Sequence, residues 1–255
     1  PHMKNVIRKW RMRLGAWKAR QQAKWKLVRA KTLWLSLGEN CLTDSILQRH
    51  GLKSFSTPFS HGRSNMDYVL ALESIQYEGL LDPLHLRHDF IESKRVVRST
   101  TIINHDPIYH ELHVNGHEFT HHDVLESPAE RNSMIRKIQR LEQYRGKKNF
   151  VFFYHYRISP DFQLNALIEK AQRFIPYYAT HGKSCELVIF TQNIVATREE
   201  RGVQYTPLHP HIHLFMCDTI NPWGGGNDDD FWAKNDEDLV KIMMDRCREL
   251  FGDNG

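Results

Sequence analysis

The chain has little cysteine. Cys41, Cys185, Cys217 and Cys247 are the four among 255 residues, and no two form a CxxC pair. That excludes a disulfide scaffold and fits a reducing, cytoplasmic compartment. No apolar run approaches the 18 residues of a transmembrane helix. Neither GxGxxG nor GxxxxGK[ST] occurs, so a dinucleotide turn and a P-loop are both excluded. Residues 4–30 lack proline, and residues 1–31 lack any acid.

What is present is enough for a core: 40% hydrophobic and 11% aromatic residues rule out bulk disorder. The net charge of +5 is unevenly spread. Residues 1–31 hold eleven Lys or Arg, leaving 24 basic against 30 acidic residues, a balance of −6, in the remainder. We therefore divide the chain into residues 1–31, a basic amphipathic helix with Pro1-His2 read as a tag remnant, and residues 32–255, a catalytic-type α/β domain. Met3, Val6, Ile7, Trp10, Leu14 and Trp17 form one helical stripe that resumes at Trp25 and Val28. Tryptophan bordered by Lys and Arg suits an anionic membrane surface or a partner protein, engaged through residues 4–30. The acidic body argues against nucleic acid as the partner.

Four short apolar runs read as buried strands: Thr32–Leu37, Phe150–Tyr154, Leu187–Thr191 and Ile212–Cys217. Helical spacing marks Met134–Leu141, Leu164–Ile175 and Leu239–Leu250. The alternation predicts a three-layer α/β fold: a mostly parallel open sheet with helices on both faces, preceded by the basic helix. Residues 80–126 lack a helical period. They read as loops with a strand near Val96–Ile103 and a hairpin turning at Asn115-Gly116 between Glu111–Val114 and His117–Thr120.

The turn after the first strand, Ser36-Leu37-Gly38-Glu39-Asn40-Cys41, carries the clearest chemical signal. Ligands in open α/β sheets bind beyond the carboxyl ends of strands. Cys41 opens a helix, where unpaired N–H groups favour a thiolate. Gly38 permits the sharp turn, and Asn40 caps the helix or donates to an oxyanion. A buried cysteine filling space under a helix is the structural alternative.

Sixteen histidines supply candidate bases. His117-Glu118-Phe119-Thr120-His121 matches HExxH as a string. After the Asn115-Gly116 turn it falls on extended chain, where the two histidines stand roughly 13 Å apart. The His211/His213 pair presents both rings to one strand face, but polar strand histidines are the better reading. No metal is assigned. Arg157, beyond the second strand, is suited to an anionic substrate, and Asp218 and Trp223, beyond the fourth, also fall at a carboxyl edge.

The run LGENC at Leu37–Cys41, with Gly51-Leu52 and Ser56-Thr57-Pro58-Phe59 after it, resembles a bacterial family of papain-like cysteine peptidases marked by SLGxNC and SxPFDW. The resemblance extends through Phe119–Asp123 to Tyr156. It implies Cys41 as nucleophile, His122 as base and Asp123 as its orienting acid, with His121, His105, His61 and His50 as further imidazoles. The family's Asp and Trp are replaced here by Ser60 and His61. More loosely, the turn is similar to those of coenzyme A-binding capsule-biosynthesis proteins and SGNH-type esterases. Together these imply a cysteine hydrolase or acyltransferase acting on a small-molecule or glycan substrate, with Ser36 and His61 beside the substrate. No cofactor is required, and acyl-CoA is a candidate donor. The setting implied is surface-polysaccharide biosynthesis, with the protein cytoplasmic and peripheral on the inner membrane face. The alternative is a non-catalytic ligand-binding or membrane-docking protein that retains the turn.

Overall fold

The computed structural model describes the backbone of residues 2–157 and 163–252, and side chains from Arg8 onward within them. Pro1 and the stripe side chains Met3, Val6 and Ile7 lie outside the described residues. The chain opens with α1 (His2–Arg29), β1 (Thr32–Ser36), α2 (Leu42–Arg49) and α3 (Met66–Ser74). Then come β2 (Leu86–Ile91), β3 (Lys94–Ser99), β4 (Glu118–Phe119), α4 (Pro128–Tyr144), β5 (Asn149–His155) and α5 (Leu164–Phe174). β6 (Cys185–Ile194), β7 (Gly202–His209), β8 (Ile212–Thr219), α6 (Asp228–Phe231) and α7 (Glu237–Phe251) complete it.

The main sheet has the order β1-β5-β6-β8-β7, parallel except for β7. All four strands expected from apolar runs are in it. Because side chains alternate across a strand, each run feeds two cores. Leu33, Leu35, Phe150, Phe152, Leu187 and Ile189 pack on one face with α3, α4 and α5. Trp34, Val151, Phe153, Val188 and Phe190 pack on the other with α2 and α7. Three layers result. β7 escaped sequence reading because it is an edge strand, largely solvent-facing and containing Pro207.

The stretch between residues 80 and 126 differs from expectation. Instead of a hairpin at Asn115-Gly116, Glu111–His113 forms a 3-10 turn capped by the His110 ring, which accepts from Leu112 N–H. Gly116, at φ +107°, presses so closely on the Ser99 carbonyl that no β-carbon would fit. β4 pairs with β3, and β3 with β2, as a small antiparallel sheet. Long-range pairing replaces the local hairpin. This sheet carries the histidine-rich segment to the carboxyl end of β1.

Candidate active site

β1 ends against a loop that braces it. The Thr57 hydroxyl donates to the Ser36 carbonyl at 2.7 Å, and Thr57 N–H donates to the Ser60 hydroxyl at 2.8 Å. Phe59 is buried between them and the core, which gives the Ser56–Phe59 run a structural reason. Gly38 turns at φ +100°, in the left-handed region, with Ser64 Cβ 3.4 Å from where a side chain would begin. Asn40 Oδ1 accepts from Leu42 N–H at 3.1 Å and closes the turn into α2. Cys41 is thereby held at the N-cap of α2, half-buried.

Cys41 Sγ lies 3.6 Å from His121 Nε2. A cavity of about 520 Å³ opens beside the sulfur, lined by Cys41, Asp44, Gln48, Arg49, His61 and Trp232. A second, of about 370 Å³, flanks the far side of His121 and is lined by Lys94, Arg95, Phe119 and His122 among others. Lys94 Nζ stands 3.3 Å from His121 Nδ1. The His61 ring faces both His121 and His122, with centroids 6.4 Å apart in each case.

The electrostatics run against the expected helix-terminal thiolate. Burial, then the Asp44 carboxylate one helical turn on, pushes the Cys41 thiol up to about 11, against partial relief from Lys94. Burial and then Lys94 lower His121 from its ordinary value. Thiol and imidazole are both neutral at pH 7. Even so, Cys217 is pushed up to about 12, and Cys185 and Cys247 also rise by burial. Cys41 remains the most exposed and most acidic of the four.

The residues expected at the site separate into two groups. Cys41, His61, Gly38 and Asn40 converge at the turn. His122 turns away: its Nε2 lies 3.0 Å from Lys137 Nζ, and burial with that cation lowers it to about 4. Asp123 accepts from Arg95 at 3.0 Å and faces His88 at 3.3 Å, so its carboxylate serves that pair. Ser36 is fully buried, its hydroxyl against Gly38 N–H, and braces the turn. Arg157 stacks its guanidinium over Gly224, while its backbone N–H meets Glu39 at 3.4 Å.

Asp218 lies three strands from β1, accepting from Asn193 and Gln204 at 2.9 and 3.1 Å. Trp223 is buried, and its indole N–H donates to Asp236 at 2.9 Å. His105 is exposed, and His50 pairs with Glu237 at 2.7 Å. Of the two HExxH histidines, His117 is sealed among Phe59, Tyr68 and Phe119, whereas His121 faces the sulfur. His211 and His213 share one strand face, as the spacing implied, and both bind Glu186.

Three groups escaped sequence reading. Asp44 is three residues after Cys41 on a helix, and that spacing could have revealed it; its carboxylate is buried against Lys53 and His61, with Oδ1 unpartnered. Glu39, within LGENC, is wholly buried. It accepts from the Tyr154 hydroxyl at 2.7 Å, and desolvation raises it to about 8. Lys94 left no signal in the sequence, because it arrives on β3.

A family model described as "putative papain-like cysteine peptidase" matches residues 32–200, two thirds of the chain. The match takes in Cys41, Asp44, His61, Lys94, His121 and His122, and excludes α1, Asp218 and Trp223. No curated protein and no solved structure matches the chain.

Proposed function

The chain belongs to the family so described, and from that premise we propose that it is a cysteine-nucleophile hydrolase, with Cys41 attacking and His121 taking the proton. The observation that carries this reading is the 3.6 Å approach of Cys41 Sγ to His121 Nε2 beside an open cavity. Because the thiol is raised and the imidazole lowered, the pair starts neutral. The S–H proton passes to Nε2 as sulfur bonds to the carbonyl carbon of an ester, thioester or amide. The oxyanion is held by the Cys41 N–H, since Asn40 already takes that of Leu42. Collapse expels the leaving group with the proton from the imidazolium. Water, activated by His121, then releases the acyl group; a hydroxyl in its place would make the step an acyl transfer.

Nε2 accepts a proton only when the ring hydrogen is on Nδ1, where a Lys94 ammonium would itself donate. The working state therefore has Lys94, an exposed side chain, turned off the ring. Asp44 and His61 line the cavity beside the sulfur. The reaction requires no cofactor.

The test is acyl trapping. The full chain is mixed with a small activated thioester, quenched, and mapped by mass spectrometry. An acyl group on Cys41, lost in Cys41→Ala, is the expected result. A folded protein that acylates none of its cysteines, or all four equally, would leave the non-catalytic binding reading instead.

A further inference from the structure

α1 is bare over most of its length: every described side chain from Arg8 to Arg20 is exposed. Contact with the body begins only near its C-terminal end, where Leu27 and Ala30 pack on the core and Lys148 Nζ donates to the Val28 and Ala30 carbonyls. At about 100° per residue, Trp10, Leu14, Trp17, Trp25 and Val28 fall within roughly 80° of one another around the helix. All five are exposed. Leu27 and Ala30 lie some 120–180° away from the centre of that stripe, so the stripe is turned from the body. Arg13, Arg20 and Lys24 border it on one side; Arg11, Lys18 and Arg29 border it on the other. No helix among the described residues is long and apolar enough to cross a membrane.

We propose that α1 is an interfacial anchor which lays its tryptophan stripe into an anionic lipid bilayer, holding the body at the membrane surface. Charge decides the occupant. Two copies pairing through this stripe would bring six cations of each helix together with no acid in residues 1–31 to offset them. A bilayer carrying anionic lipid satisfies the cations and takes the indoles at its headgroup boundary. The root of the helix extends the same surface. Arg20 and Lys24 share a groove of about 670 Å³ with Arg140 of the body; no acid lines it, and Lys53, which also lines it, is paired with Asp44. A body of balance −6 thus presents a cation, Arg140, where the helix joins it.

The experiment is sedimentation of the full chain with phosphatidylcholine vesicles, with or without phosphatidylglycerol, across a salt series. Binding should be at least about tenfold stronger with phosphatidylglycerol, and most of that margin should vanish at high salt. The triple change Arg11→Gln/Lys18→Gln/Arg29→Gln should weaken binding on the order of 10–100-fold. Trp10→Ser/Trp17→Ser/Trp25→Ser should remove the binding that survives salt. Circular dichroism and Cys41 alkylation, read on each variant, separate loss of fold from loss of the surface. Equal binding to both vesicles, or none, overturns the proposal. So does a stripe variant that binds as wild type with duplex DNA displacing the vesicles, or a dimer that dissociates when the stripe is removed.

Discussion

At the carboxyl end of β1 the polar groups are only partly satisfied, and at the carboxyl end of β8 they are closed on one another. Cys41 opens on a cavity, one buried oxygen of Asp44 takes no hydrogen bond, and neither ring nitrogen of the buried His113 does, although Nε2 lies 4.0 Å from Glu39. Around β8, Asp218 accepts from Asn193 and Gln204. Gln192 binds Thr219 and the Trp223 N–H, and Asp236 joins Trp223 to Arg201. Both ends looked alike in the sequence, each an apolar strand followed by glycine and polar residues. A strand end becomes a reaction site when its polar groups are left facing space. When they pair off, the same residue types become a clasp.

The sharpest way to break this comparison lies in the adjacent histidines. His121→Ala should cut the rate of Cys41 acylation by about 10²–10⁴-fold, the usual weight of a positioned base. His122→Ala should cost less than about tenfold, since Lys137 holds that ring. Equal losses would return His122 to the reaction.

Next comes the closed end. Trp223→Ala should destabilise the protein by about 3–5 kcal/mol in denaturant unfolding, through lost packing on Phe190 and His155 and an unpartnered Asp236 oxygen. Cys41 alkylation below the unfolding midpoint should keep its wild-type rate. A stable Trp223→Ala protein with lost acylation would make the β8 end part of the site.

The smallest effect concerns Glu39, buried beneath the turn and raised to about 8 from an ordinary 4.5. An acid with a raised folded pKa keeps its proton on folding, so its contribution is full below about 4.5. It is lost progressively as pH climbs toward about 8. At pH 7 that costs about 3 kcal/mol relative to acid conditions. Glu39→Gln should therefore unfold at higher denaturant than wild type at pH 8, with the gap closing near pH 4.5. Parallel pH profiles for the two proteins would mean that Glu39 titrates alike folded and unfolded, against the raised value.

The strands were legible because continuous apolar runs have few other uses in an α/β chain, and Cys41 because it follows one of them across a glycine. The hairpin at Asn115-Gly116 was misread for the converse reason: a two-residue turn signal is local, and pairing of β4 with β3 outweighed it. The choice between His121 and His122 was beyond local reading, since both follow β4 in a turn whose side chains are placed by long-range contacts. Lys137 of α4 met one and Cys41 the other. The expected lowering of the Cys41 pKa failed because the helix terminus was visible in the sequence, whereas the burial around it was not.

The sequence by itself determined the layered sheet, the stripe and charge of α1, and a cysteine placed at the end of β1, all written in patterns a few residues long. Only the tertiary structure decided which imidazole reaches the sulfur, that Asp44 and Lys94 flank it, and that Asp218 and Trp223 close on themselves. Apart from Asp44, which shares a helix with Cys41, those outcomes join residues 13 to 80 positions apart along the chain. Their proximity depends on sheet order and burial, which no local pattern encodes.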